Sequence, residues 1–179
     1  MTTQPKAGEL LVGAYLRVVK ECELVMYNQR SSEHGDQLEI DVIGVTDTED
    51  GGQEVYICEV TTHLGGLRYG SYQESFDNLR KKFRSDRDYI TEIFNSADLY
   101  NFQLWSPVVP FGLEKRLPEL DAVFDGRDDM ELELVINEDY SRKINALQDK
   151  AGSTKKQYGE LGFRVLQILE HMKKPDRMS

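Results

Sequence analysis

The sequence predicts one α/β domain: a central mixed sheet of four to five strands, flanked by helices. Stretches with helical periodicity alternate with short apolar, β-branched runs. An Asp- and Gly-rich turn, DTEDGGQ at 47–53, joins two of those runs as a hairpin. No internal repeat, low-complexity stretch or obvious linker breaks the 179 residues, a length that suits a single core. That core is expected over 7–110, with a closing strand and helices over 130–174.

Residues 7–21, AGELLVGAYLRVVKE, predict the first helix, with Val12, Leu16 and Val19 on one stripe and Leu11, Tyr15 and Val18 beside it. Glu9 precedes Val12 by three positions, so it falls on the buried stripe. CELVMYNQR (22–30) predicts a strand, SSEHGDQ a polar loop, and LEIDVIGVTD (38–47) a second strand paired with VYICEVTTH (55–63). HLGGLRYGS is a glycine-rich loop, and residues 71–96 read as one or two helices with Phe76, Leu79, Phe83 and Ile90 inward. NFQLWSPVVP is strand-like, and Pro107 and Pro110 restrict it to an edge or an end. Residues 113–129 are weakly patterned and receive no element. MELELVIN predicts a strand with acids outward and apolar residues inward. Two helices, 138–152 and 153–174, close the chain, with Ser153 expected to cap the second.

Composition excludes several classes. No apolar run approaches the ~20 residues of a membrane span, and the N-terminus lacks the layout of a signal peptide. Cys22 and Cys58 fall in strand-like stretches without a metal or redox motif, which predicts reduced core residues in a cytoplasmic protein. The net charge of −10 argues against a protein that coats nucleic acid indiscriminately. Basic residues nevertheless cluster at 64–87 and 141–179, while the acid excess lies at 33–59 and 114–139.

Three acids occupy positions where apolar residues belong: Glu9 on the helix stripe, Asp41 within LEIDVIGV and Glu59 within VYICEV. Strand alternation puts Asp41 on a face with Ile43 and Val45, and Glu59 on one with Val55, Ile57 and Thr61. Pairing of the two strands would bring both carboxylates to one shallow pocket. Burying a carboxylate without a partner costs several kcal/mol, and convergent oxygens suit a hard divalent cation. Each acid alone has an ordinary explanation: a salt bridge for Glu59, an edge-strand position for Asp41, a first-turn dipole contact for Glu9. The order helix acid, strand Asp, hairpin, strand Glu favours a common site.

On GELLVGAYL, LEIDVIGV and YICEVTTH, followed by the helix QESFDNLRKKF, the chain resembles the PD-(D/E)xK nuclease superfamily, in particular Mrr-like and junction-resolvase-like members. The resemblance covers about the first 85 residues. It implies a restriction-endonuclease-like fold and a metal-dependent (deoxyribo)nuclease using Mg2+ or Mn2+. Asp41, Glu59 and the Val60 carbonyl would hold the metal, Glu9 would assist as the helix acid, and Thr61 stands where the motif carries lysine. Threonine supplies no charge, so the missing cation would come from Lys81, Lys82, Arg68 or His63. Arg68, Tyr69, Gln73, Lys81 and Lys82 are the candidate substrate contacts, with Tyr72 beside them. Trp105 is expected in the core. The implied partner is nucleic acid, DNA by family likeness, with no membrane and with a homodimer or partner subunit for cutting two strands. Two other functions fit the sequence: a nuclease fold that has lost catalysis and serves as an interaction or sensing module, and an acidic adaptor or inhibitor working through TDTED (46–50) and MELELVINED.

Overall fold

A computed structural model of the protein describes residues 4–31 and 39–173. The first helix, α1 (Ala7–Val18), starts where the Lys6 backbone N–H donates to Glu9 Oε2 at 2.8 Å. It buries Val12, Ala14 and Leu16. It stops earlier than its periodicity predicts because Glu21 adopts a left-handed φ of 57° and the Cys22 N–H turns back to the Leu16 carbonyl.

Five strands follow: β1 (Leu24–Arg30), β2 (Glu39–Asp47), β3 (Gln53–Val60), β4 (Leu99–Ser106) and β5 (Met130–Ile136). They form one mixed sheet in sequence order, antiparallel from β1 to β3 and parallel from β3 to β5. The chain is thus the α/β domain its sequence predicts. The loop expected at 31–37 lies almost wholly outside the described residues. Between β3 and β4 runs one 22-residue helix, α2 (Tyr72–Ile93), capped by Ser71 with Glu74 in a reciprocal capping box. A short helix, α3 (Phe111–Glu114), and a 3-10 stretch (Leu117–Phe124) link β4 to β5. The weakly patterned 113–129 segment therefore has a structure of its own: Leu117, Leu120, Val123 and Phe124 are buried, at a spacing closer to three residues per turn than to 3.6.

The sheet is covered on both faces. Ile43, Val45, Val55, Ile57, Phe102 and Leu104 face α2 and the 3-10 stretch, where Phe83 meets Phe102 and Phe124 edge-on. Val42, Cys58, Trp105 and Val135 face α1, α4 (Glu138–Ser153) and α5 (Leu161–Met172). Trp105 is fully buried between the Tyr15 and Tyr140 rings, at 5.2 and 6.0 Å between centroids.

β4 lies between β3 and β5, and Pro107 follows immediately after its last residue, the end position rather than the edge, where no ladder donor is needed. Three local expectations need correction. β3 ends at Val60, so Thr61 and His63 are not strand residues. Ser153 ends α4, its hydroxyl donating to the Lys150 carbonyl, and α5 begins only at Leu161, after Gly159 at φ 77°. On β5 the acids do not simply face solvent. Glu131 accepts from Asn101, and Glu133 accepts from buried Gln103 and pairs with Lys143. Cys22 and Cys58 are free and buried, and burial raises both thiol pKa values, that of Cys22 to about 12. Among the described residues, no helix is long and apolar enough to cross a membrane.

Candidate functional site

The register of the hairpin places the acids. Val45 pairs with Val55 and Ile43 with Ile57, so two further steps along the same face bring Asp41 opposite Glu59. The pairing is closed by the Val60 backbone N–H, which donates to Asp41 Oδ2 at 2.8 Å. The Val60 group seen in contact with Asp41 is thus its N–H, whereas the resemblance implied a role for its carbonyl.

Both carboxylates lie on the sheet face covered by α2, and that helix supplies a cation. Lys82 Nζ sits 2.6 Å from Glu59 Oε1 and 2.8 Å from Asp86 Oδ1, and it also donates to the Glu39 carbonyl. Lys82 and Asp86 are four apart, one turn along the helix, so both side chains reach the same spot. Asp86 is fully buried, and its Oδ2 has no hydrogen-bond partner. This residue escaped the sequence reading, although the signal was there. Leu79, Phe83 and Ile90 define the inner stripe of α2, and Asp86 stands on it at helical spacing. The criterion that singled out Glu9 also applies to Asp86.

Glu9 approaches from the other layer. The first turn of α1 packs on the segment after β3 so closely that a Cβ on Gly8 would lie 2.2 Å from Thr62 Cγ2. Glu9 is buried, with Oε2 on the Lys6 N–H and Oε1 3.4 Å from Lys6 Nζ. It is near enough to Asp41 to raise its pKa, as the weakest of the named influences.

The cluster is short of positive charge. The Lys82 ammonium meets Glu59 and Asp86, while Asp41 lies within the influence of Lys6, an ammonium already paired with Glu9. Burial pushes the Asp41 carboxyl up to about 7, with the Glu59 charge adding to the rise and the Val60 N–H and Lys82 opposing it. Burial, then the Asp86 carboxylate, holds Glu59 well above the ordinary carboxylate range. Asp86 is raised as well, through burial. Burial alone would lower the Lys82 pKa, but the two carboxylates beside it outweigh that and the net shift is upward.

A hard divalent ion matches this donor set in part. The groups are all oxygens, and a carboxyl that keeps its proton near neutrality marks a place where another cation would be stabilised. Asp41 and Glu59 fit such an ion. Among the described residues, however, no group of three His, Cys, Asp or Glu side chains is placed to hold a metal. Glu9 is drawn off by Lys6, and Asp86 by Lys82.

The other candidates lie outside the cluster. Thr61 follows the strand end, with its N–H on the Trp105 carbonyl. His63 is exposed and meets Tyr69 edge-on at 5.9 Å. Arg68 donates to the Gly70 carbonyl and lies 5.8 Å from the Tyr72 ring centroid. The exposed Gln73 side chain bonds Asp77 on its own helix, and Lys81 is exposed on α2. Of the proposed sources of the missing cation, Lys82 is the one in contact with the carboxylates, and it reaches them from the helix rather than the strand.

No protein-family model matches this chain, and no curated protein matches it either.

Proposed function

We propose that the protein is a metal-dependent nuclease that hydrolyses phosphodiester bonds in DNA, resembling the PD-(D/E)xK enzymes. The observation that carries this is the Lys82 ammonium, 2.6 Å from Glu59 Oε1 on the face that also holds Asp41. It restores the charge that Thr61 lacks, from a position one element later in the chain. Asp41 and Glu59 would hold Mg2+ or Mn2+. When bound, the ion would lower the pKa of a water and offset charge on the phosphate oxygens. Lys82 would exchange its hydrogen bond to the Glu39 carbonyl for one to a non-bridging oxygen, where negative charge develops during attack. Its contacts with Glu59 and Asp86 fix the ammonium before substrate arrives, so little reorganisation accompanies the reaction.

The test is cleavage of labelled single-stranded, duplex and branched DNA with Mg2+ or Mn2+. The wild-type protein should cut at least one of them. Asp41→Ala and Glu59→Gln should each lose roughly 100-fold or more, the scale of removing one group that stabilises a transition state. Wild-type rates in both variants would remove the site from the chemistry.

A second function, a nuclease fold that binds without cutting, draws on the same lysine. Lys82 already donates to three oxygens, those of Glu39, Glu59 and Asp86, which is the full donor capacity of an ammonium. Absence of cleavage on every substrate, with nucleic-acid binding retained, would select this function. The acidic-adaptor alternative loses part of its surface, because Glu131 and Glu133 are engaged by Asn101, Gln103 and Lys143.

A further inference from the structure

Beside the acid cluster, at the C-terminal ends of β3 and β4, the chain exposes an unusual mixture of rings and cations. Leu64 is 85% exposed, Phe111 70% and Tyr69 43%, and Tyr72 and Val108 are exposed as well. They belong to one continuous surface. The Leu67 N–H donates to the Val108 carbonyl at 2.8 Å, and a Cβ on Gly112 would lie 2.4 Å from the Tyr72 ring. The loop after β3, the first turn of α2 and the segment after β4 are thereby packed together.

Cations rest on the aromatic residues of this ridge. Lys115 Nζ lies 4.1 Å from the Phe111 ring centroid, Arg68 Cζ 5.8 Å from that of Tyr72, and Arg116 Cζ 5.0 Å from that of the neighbouring Phe76. Among the described residues, none of these three cations is in an ion pair with a carboxylate. Three of the nearby acids are committed elsewhere, Glu74 to the Ser71 cap, Asp77 to Gln73 and Arg80, and Glu114 to Asn137, while Glu119 is exposed one turn from Arg116. In a protein of net charge −10, a local excess of unneutralised cations among exposed rings is complementary to an anionic polymer that carries flat apolar groups. The bases of a duplex are stacked on one another and cannot lie on these rings, whereas unpaired bases can.

We propose that this ridge binds a single-stranded stretch of nucleic acid. Phosphates meet Arg68, Lys115 and Arg116, and bases lie against Tyr69, Tyr72 and Phe111. This deepens the proposed nuclease function, on which it rests, by naming the substrate form. Leu64 lies five positions after Glu59, a reach of at most ~18 Å, so a strand held on the ridge passes close to the acid cluster.

Binding is measured by fluorescence anisotropy in EDTA, which keeps it separate from cleavage. The probes are labelled oligothymidylate and oligouridylate of about 16 nucleotides, and a hairpin duplex of equal length. Expected results are tighter binding of a single strand than of the duplex and a loss of about tenfold or more in Phe111→Ala, the scale of one stacked base. Lys115→Ala should reduce the salt dependence of log K by ~0.7. The two single-stranded probes separate DNA from RNA. Both substituted side chains are exposed, and circular dichroism verifies that the fold is retained. Equal or tighter duplex binding, an unchanged affinity in Phe111→Ala, or no binding of any probe overturns the proposal; the last outcome leaves the ridge as a protein contact. If the ridge binds single strands but the protein cuts nothing with Mg2+ or Mn2+, the nuclease function fails and the ridge stands. If the protein cuts DNA and Phe111→Ala binds normally, the ridge alone fails.

Discussion

Replacing Asp41 by asparagine tests the charge shortage directly. Asparagine keeps the size of the side chain and an oxygen for the Val60 N–H, but removes the ionisable group. Folded Asp41 titrates near 7, against 3.8 for the free side chain, so the folded state binds this proton more tightly than the unfolded state. The resulting penalty is fully present above pH 7 and fades as the pH falls towards 3.8. A difference of this size corresponds to at most about 4 kcal/mol. In EDTA at about pH 8, Asp41→Asn should therefore be more stable than wild type by roughly 1–4 kcal/mol, with the gain shrinking towards zero near pH 4. Urea denaturation across that range measures it, provided both proteins share one m-value. If Asp41 and Glu59 hold a divalent ion, added Mg2+ should stabilise wild type and leave the variant nearly unaffected. A variant less stable than wild type at pH 8, or a gain independent of pH, would refute the proposed cause.

Lys82→Met strands Glu59 and Asp86 without their cation, and should lower stability by about 3–5 kcal/mol; a neutral effect in chemical denaturation would show that the two acids do not depend on it. In Gly13→Ala the new methyl would lie 1.9 Å from Tyr27 Oη, so the Tyr27 ring must move and give up its hydrogen bond to Glu160, at a cost of roughly 1–3 kcal/mol. An unchanged melting temperature would contradict that close approach. Cys22 and Cys58 are buried with raised pKa values, so a maleimide should label neither until denaturant is added. Rapid stoichiometric labelling in native buffer would mean that one of these thiols is open to solvent.

Local patterns in the chain were enough to determine the layers of the fold and most of the cluster. Alternation marks one face of β2 and β3, and an acid at a buried parity, as at Asp41 and Glu59, is visible without coordinates. Hairpin pairing then fixes which acids are neighbours, because antiparallel register is set by the turn that joins the strands. The same logic applied to α2 would have marked Asp86 on the inner stripe. Missed boundaries share another cause. The left-handed Glu21 that ends α1 and the late start of α5 depend on single backbone angles, which composition constrains weakly.

Tertiary structure alone decided which cation meets the acids. Lys81 and Lys82 are adjacent in sequence and chemically identical. A turn of about 100° per residue separates their directions, so the stripe of Leu79, Phe83 and Ile90 leaves Lys82 at its margin and Lys81 opposite, and the docking of α2 on the sheet sets the Lys82 ammonium against Glu59. Docking likewise brings Glu9, paired with Lys6 in the opposite layer, near enough to Asp41 to raise its pKa. Sequence periodicity specifies which side of an element is buried. The partner it meets there depends on how elements distant along the chain are packed, through contacts that no local pattern encodes.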